Sequence, residues 1–143
     1  MMPARLSKNK LLQVLFKNPS ARVSTCTREV YLERGQMLFE KQTRMQHVYF
    51  PTTSVVSRIY LANCGHTSEM GMVGSEGVVW ISLFLGDDRA TNEAIVHVSG
   101  TALRMEATAA LAAYEEHHDF RLALQRYTRA MISQISQDGV CNY

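Results

Sequence analysis

The hydrophobic period of this chain changes twice, and those changes limit the folds open to it. From residue 28 to residue 106, apolar and polar residues alternate over short runs that end in glycine, asparagine or proline. A period of two is typical of half-buried strands. Many short strands at near-regular spacing are typical of an antiparallel roll, barrel or sandwich. Residues 28–106 are therefore predicted to form an antiparallel β-roll or jelly roll.

Helical spacing lies on both sides of that segment. A short helix is predicted within residues 1–20, where it ends before Pro19 because proline cannot continue a helix. Residues 107–143 are predicted to form an alanine-rich helix and then a longer one, with Asp119 at its N-cap. With 143 residues, 46% of them apolar, the chain suits one domain with a real core. We expect a single mainly β domain with helices, of the α+β class, over residues 1–143.

Two of the predicted strands flank a predicted turn at Ser99-Gly100. They cover residues 93–98 and 101–105, and both are rich in apolar and β-branched residues. Because glycine accepts the backbone angles of a tight turn, we expect these two strands to pair with each other.

The long helix carries one continuous apolar stripe. At 3.6 residues per turn its five members fall within an arc of about 80°. They are Phe120, Leu124, Tyr127, Met131 and Ile135. Two interpretations are open: the stripe packs on the roll, or it forms the seam of a homodimer with a sister helix. We take the dimer seam as the leading prediction.

Charge and composition exclude several classes of protein. Fifteen basic and thirteen acidic residues are mixed along the chain, which has none of the concentrated basic patches that bind many DNA phosphates. No signal peptide and no membrane-length apolar run is recognisable, so a cytoplasmic protein without membrane contact is predicted. Cys26, Cys64 and Cys141 lie far apart in sequence, which favours free thiols over a disulfide framework.

The histidine spacing argues against an enzyme. Metal-dependent β-rolls need two histidines separated by one residue, followed by a glutamate and a further histidine. None of the five histidines has that spacing, so neither catalysis nor a metal site is predicted. His97 could be an axial haem ligand in principle, but strand alternation places it opposite the core-facing residues Ala94, Val96 and Val98.

Five short segments, in order along the chain, resemble the Crp/Fnr family of bacterial transcription regulators. One of them reads Met72-Val73-Gly74-Ser75-Glu76-Gly77 and looks like the family's VG-x-EG turn. The resemblance covers nearly the whole chain. Besides residues 72–77, it rests on residues 35–39, residues 47–52 with Val55-Val56-Ser57, residues 83–86, and residues 137–142.

The resemblance implies a cyclic-nucleotide-binding-like β-roll whose long helix is a dimerisation helix. In the family a winged helix-turn-helix follows that helix and reads DNA, and such a module needs roughly 60 residues. Because the chain stops at Tyr143, we expect DNA contact only through a domain absent here. The expected function is a sensory and dimerisation domain that binds a small effector and relays it through the long helix. Alternatives are a stand-alone ligand-binding or dimerisation module without DNA binding, and a redox or metal sensor.

The family resemblance also implies where an effector would bind. Its candidate residues are Glu76, Gly77, Arg89, Thr91, Asn92 and Ser136. Members that bind cyclic nucleotides have a Gly-Glu pair and then an Arg-Ser or Arg-Thr pair directly before an apolar strand. Here the first pair is reversed to Glu76-Gly77, and Asn92-Glu93 stands where the second should be. Glu93 would oppose a phosphate by Coulomb repulsion, so the effector is unknown and neither cyclic AMP nor cyclic GMP is predicted.

Overall fold

The computed structural model describes residues 8–15, 27–39, 44–61, 67–86 and 93–141. For residues 60–61, 67–70, 82 and 134–141 only the backbone is described. The described strands, in chain order, are β1 (Thr27–Leu32), β2 (Met37–Phe39), β3 (His47–Pro51), β4 (Val55–Leu61), β5 (Thr67–Val73), β6 (Glu93–Val98) and β7 (Gly100–Glu106). The helices are α1 (Lys10–Leu15), a 3-10 helix (Ile81–Leu85), α2 (Ala107–Glu116) and α3 (His118–Cys141).

The strands form two antiparallel sheets, as the period-two pattern predicts. One sheet has three strands in the order β1-β7-β3, and the other has four in the order β2-β6-β4-β5. In the first sheet Phe50 pairs with Leu103, and both side chains are fully buried. In the second, Val56 pairs with Val73 on one side and Val96 on the other, again with all three buried. The predicted α+β fold with an antiparallel β-roll is confirmed.

The predicted pairing of the strands around Ser99-Gly100 is wrong. The strand before this turn, β6, pairs with β2 and β4, whereas β7 pairs with β1 and β3. The chain therefore crosses from one sheet to the other at residues 99–100. A Cβ at Gly100 would lie 2.7 Å from the backbone of both Thr53 and Ser54, so glycine is needed for this close approach rather than for a hairpin.

Three helices cover the roll. The long helix α3 contacts α1 and α2, and its first residues reach the core. α3 begins at His118, which puts Asp119 in its first turn rather than at its N-cap. The single-residue difference is within the usual spread of helix boundaries. Among the described residues, no helix combines the length and hydropathy that crossing a membrane requires.

Candidate functional site

The turn that follows β5 lies directly against the long helix. Gly77 N–H donates to the Gly74 carbonyl at 3.2 Å, and Gly74 N–H donates to Oε1 of Glu76 at 3.1 Å. A Cβ placed on Gly77 would overlap the ring of Tyr127 on α3. The Tyr127 hydroxyl also has a hydrogen bond with the backbone of Val78. The turn 74–77 and α3 are thus in contact with no space between them.

Asn9 joins the same turn to α1 from the other side. Its Nδ2 donates to the carbonyl oxygens of Pro51 at 2.8 Å and Gly77 at 2.9 Å. Its Oδ1 accepts from the backbone N–H groups of Leu11 at 3.0 Å and Leu12 at 3.2 Å, which is the bonding of a helix N-cap. Because Asn9 is fully buried, these four hydrogen bonds fix α1 against β3 and the turn.

A buried arginine lies close by, on β4. Arg58 is 8% exposed and sits between Gly71 of β5 and Ala94 of β6 in the sheet register. One guanidinium nitrogen, Nη1, contacts the sulfur of Met131 on α3. The Nε atom is buried and has no hydrogen-bond partner within the part of the chain described. A thioether is a weak acceptor, so the described surroundings leave this cation poorly satisfied.

The ionisable groups here influence one another. Burial lowers the pKa of Arg58, and the nearby Tyr127 and Glu76 act in the opposite direction. Burial raises the pKa of Tyr127, the Arg58 charge and the Val78 hydrogen bond oppose that rise, and Glu76 adds to it. Two groups on the roll and one on α3 therefore share one electrostatic environment.

The buried guanidinium of Arg58 has the chemistry to bind an anion. A guanidinium offers N–H groups in a planar fork that matches carboxylate and phosphate oxygens, and the Nε of Arg58 has no hydrogen-bond partner among the described residues. Within the described ranges, no three histidine, cysteine or acidic side chains are grouped closely enough to hold a metal ion.

Solved structures provide the comparison with known proteins. The sensor domain of the transcriptional regulator DNR from Pseudomonas aeruginosa matches with a TM-score of 0.67 and 17% identity, covering 87% of this chain and 88% of that one. The N-terminal domain of a transcriptional regulator from Streptomyces coelicolor A3(2) matches with a TM-score of 0.59, 17% identity and 94% of both chains. The chain has the fold of these sensor domains.

A longer structure of DNR places the sensor fold within a larger protein. It matches with a TM-score of 0.68 and 18% identity over 96% of this chain, which spans 63% of that DNR chain. No protein-family model matches the sequence, and no curated protein matches it either. At these identities the comparisons establish the sensor-domain fold.

Two of the six predicted effector residues fall in this site. Glu76 and Gly77 lie in the turn against α3. Arg89, Thr91 and Asn92 lie outside the described residues, and Ser136 lies on α3 in the part where only the backbone is described. Their role in binding stays a prediction.

The first half of the apolar stripe belongs to the core of the sensor fold. Phe120 and Leu124 are 0% and 1% exposed in the single chain, and Phe120 lies 6.4 Å from Phe50 and 6.3 Å from Phe84 between ring centroids. Because neither side chain has surface left for another chain, their assignment to a dimer seam is corrected: they pack on the roll. Tyr127 and Met131 are half-buried, and both contact the roll. Only the backbone of Ile135 is described.

Sequence reasoning missed Arg58 and Asn9. A signal for Arg58 existed, since a charged residue follows Val55-Val56-Ser57 and precedes Ile59 in a strand otherwise free of charge. A charged residue in such a strand either lies on an exposed face or is buried for a structural or functional role. The alternation of apolar and polar residues does not distinguish these two cases when both faces of the strand are covered. Asn9 stands just before an apolar run, the position of an N-cap, but its contacts with Pro51 and Gly77 are 42 and 68 residues away.

A separate open cleft of about 580 Å³ lies where β3, β7 and α2 meet. His47 lines it together with Glu106 and Leu111, and burial, assisted by the charge of Arg104, lowers the pKa of His47, while Glu106 opposes this. The open shape and the exposed edges of this cleft make it a weaker candidate than the site at Arg58.

Proposed function

We propose that this chain is the sensory domain of a bacterial transcription regulator of the Crp/Fnr type. In this proposal a small effector binds between the roll and α3, and α3 passes the change on. DNA contact is made by a domain outside these 143 residues. The sensor-domain fold and the family-like segments of the sequence support this assignment.

The observation that carries the proposal is the contact between Gly77 and Tyr127. A ligand seated at the turn 74–77 has no room beside the Tyr127 ring unless α3 or the turn moves. Binding energy at the turn is therefore coupled to the position of the helix, which is the requirement for a ligand to shift a conformational equilibrium. No catalytic step is part of the proposal.

We further propose that the chain forms a homodimer through α3. The faces already packed on the roll cannot supply the seam, so we assign it to the neighbouring face, which carries the exposed Ile132, and to the C-terminal part of the helix that includes Ile135. Ile132 is 55% exposed, and a sister helix packed on this face would bury its apolar side chain.

The test measures dimerisation and its consequence together. The full chain is fused at its C-terminus to a DNA-binding domain that represses a reporter only as a dimer, and the mass of the unfused chain is measured by light scattering. We expect repression and a dimer mass for the parent, and loss of both in Ile132→Glu. Tyr31→Glu is the matched control, because Tyr31 is 67% exposed but lies on β1.

Two results would contradict the proposal. A monomer mass and no repression for the parent chain would remove the dimer from it. Loss of repression in Tyr31→Glu to the same extent as in Ile132→Glu would show a general effect of added charge rather than a seam on α3.

A further inference from the structure

We propose that Arg58 is the residue that recognises the effector, and that the effector presents an anionic oxygen that replaces the Met131 sulfur at the guanidinium. The ligand class is thus a small molecule with a carboxylate or phosphate group. This inference rests on the sensory function proposed above and specifies the chemistry of its site.

The first support is a buried charge whose described partners do not balance it. Arg58 is more than nine-tenths buried, its Nε has no described hydrogen-bond partner, and its Nη1 meets a thioether sulfur. Buried cations are ordinarily paired with an anion or held by several good acceptors. An oxyanion in the fork of the guanidinium would supply two strong acceptors at once.

The second support is the geometry on the side of the sheet. Gly71, opposite Arg58 in the register, has φ of 137°, and a Cβ there would lie 3.0 Å from Nη2 of Arg58. The guanidinium is therefore closely backed by the strand β5, with no room on that side for a ligand. In this proposal the anion approaches from the side of α3, where the Met131 sulfur contacts Nη1.

Met131 is a suitable group to be displaced. Its side chain is unbranched and flexible, and its sulfur is a poor acceptor compared with a charged oxygen. Met131 lies one helical turn after Tyr127, which touches Gly77. Exchange of the sulfur for a ligand oxygen therefore releases a contact of α3 with the roll, close to the point where the turn 74–77 holds the same helix.

Among the described residues, Glu76 and Tyr127 are the ionisable groups that act on the charge of Arg58. The exposed carboxylate of Glu76 accepts a hydrogen bond from Gly74 N–H, which fixes it at the turn. It disfavours an anion placed midway between turn and arginine, so the anionic oxygen lies on the Met131 side. The Tyr127 phenol is neutral near pH 7, since its ordinary pKa is about 10 and burial raises that pKa further.

The experiment follows the side-chain N–H signal of Arg58 by NMR. The full chain is titrated with sodium phosphate and, separately, with sodium succinate, against sodium chloride at equal ionic strength, and the thermal midpoint is measured in parallel. Arg58→Met assigns the signal by its disappearance. Arg126→Met is the matched control, since Arg126 is exposed and lies on α3, the helix that carries Met131.

We expect one probe to shift the Arg58 signal with saturation and to raise the midpoint by roughly 5 °C at ten times its dissociation constant. A response to phosphate identifies an effector with a phosphate group, and a response to succinate identifies an effector with a carboxylate group. Arg58→Met loses the midpoint rise and Arg126→Met keeps it. Met131→Leu, which keeps the bulk but removes the sulfur acceptor, binds the probe several-fold more tightly.

The proposal is overturned if neither probe gives a saturable shift, or if the midpoint rise survives in Arg58→Met. Weaker binding in Met131→Leu would contradict the exchange of sulfur for oxygen. The light-scattering mass separates these failures from failure of the sensory function: a dimer that ignores both anions removes only the ligand class, whereas a monomer also removes the proposed relay.

Discussion

Asn9 links three parts of the molecule through one amide group. It caps α1 with its oxygen and holds the carbonyls of Pro51 and Gly77 with its nitrogen. Burial excludes water from these bonds, so a lost donor or acceptor is not replaced by solvent. The candidate site thus depends on the N-cap residue of α1.

We predict that Asn9→Ala lowers the free energy of unfolding by about 3 kcal/mol, from the lost helix cap and two unsatisfied buried carbonyls. Urea denaturation followed by circular dichroism measures it. Asn9→Asp is the control, because it keeps the capping oxygen but cannot donate to the two carbonyls, and we expect it to cost part of that amount. Asn9→Ala within about 0.5 kcal/mol of the parent would refute the role given to this residue.

His47 makes the stability of the folded chain depend on pH. Burial and the charge of Arg104 hold its pKa below the ordinary 6.5, with Glu106 opposing them. The unfolded chain therefore binds a proton at a higher pH than the folded one, and protonation favours unfolding. This stabilising contribution is present above pH 6.5 and is lost as the pH falls from there through the folded pKa.

We predict that the unfolding free energy decreases on acidification from about pH 7 to pH 5, and that His47→Gln makes this decrease shallower. Urea denaturation at half-unit pH intervals tests it. His97→Gln is the matched control, since His97 is exposed on β6. Equal slopes in the parent and His47→Gln would assign the acid sensitivity to other groups.

At the scale of elements, α3 serves two purposes along its length. Its first two turns are part of the core, through Phe120 and Leu124. The following turns contact the candidate site through Tyr127 and Met131, and Ile132 is exposed on another face. A helix that is anchored in the core at one end and contacts the candidate site further along can carry a change at that site to a partner on its exposed face.

We predict that Phe120→Ala destabilises the fold by about 3–5 kcal/mol, because a fully buried aromatic ring is lost from the core. The loss should be equal at low and high protein concentration, since the contact lies within one chain. Ile132→Ala is the comparison, with a smaller cost that appears only at concentrations where the chain is a dimer. Denaturation midpoints at two concentrations a hundredfold apart decide this. A loss of stability in Phe120→Ala that depends on protein concentration would instead assign Phe120 to the dimer seam.

The hydrophobic period of a sequence does not predict which strands pair with each other. Alternation in β6 and β7 correctly indicates strands: Ala94 and Val96 are buried as predicted, whereas Val98, predicted on the same core-facing side, is exposed at the end of β6. It gives no information about which strand lies beside which. The placement of β6 and β7 in different sheets depends on contacts between residues far apart in sequence. At the start of β7, for example, the carbonyl of Thr101 accepts hydrogen bonds from the three backbone N–H groups of residues 52–54 at 3.1 to 3.2 Å.

At the scale of the whole molecule, the two sheets, α1 and α3 meet at one place. The turn 74–77 is held by Asn9 from α1 and touched by Tyr127 from α3, while Arg58 of β4 reaches α3 at Met131. A small displacement at this junction acts on several elements at once, because a tightly packed interior passes strain on rather than absorbing it.

The sequence by itself determined the class of the fold and the existence of an amphipathic long helix. Periods of 2 and 3.6 report which residues share a buried face, and that information is local. The partner that covers each buried face is set by residues far away in sequence. The apolar stripe of α3 that begins at Phe120 could pack on the roll or on a sister helix, and only the tertiary structure decided that its first residues pack on the roll. The same holds for Arg58. Its charge is evident from the sequence of the strand 55–61, but its burial and its contact with Met131, 73 residues away, exist only once the sheets and α3 come together.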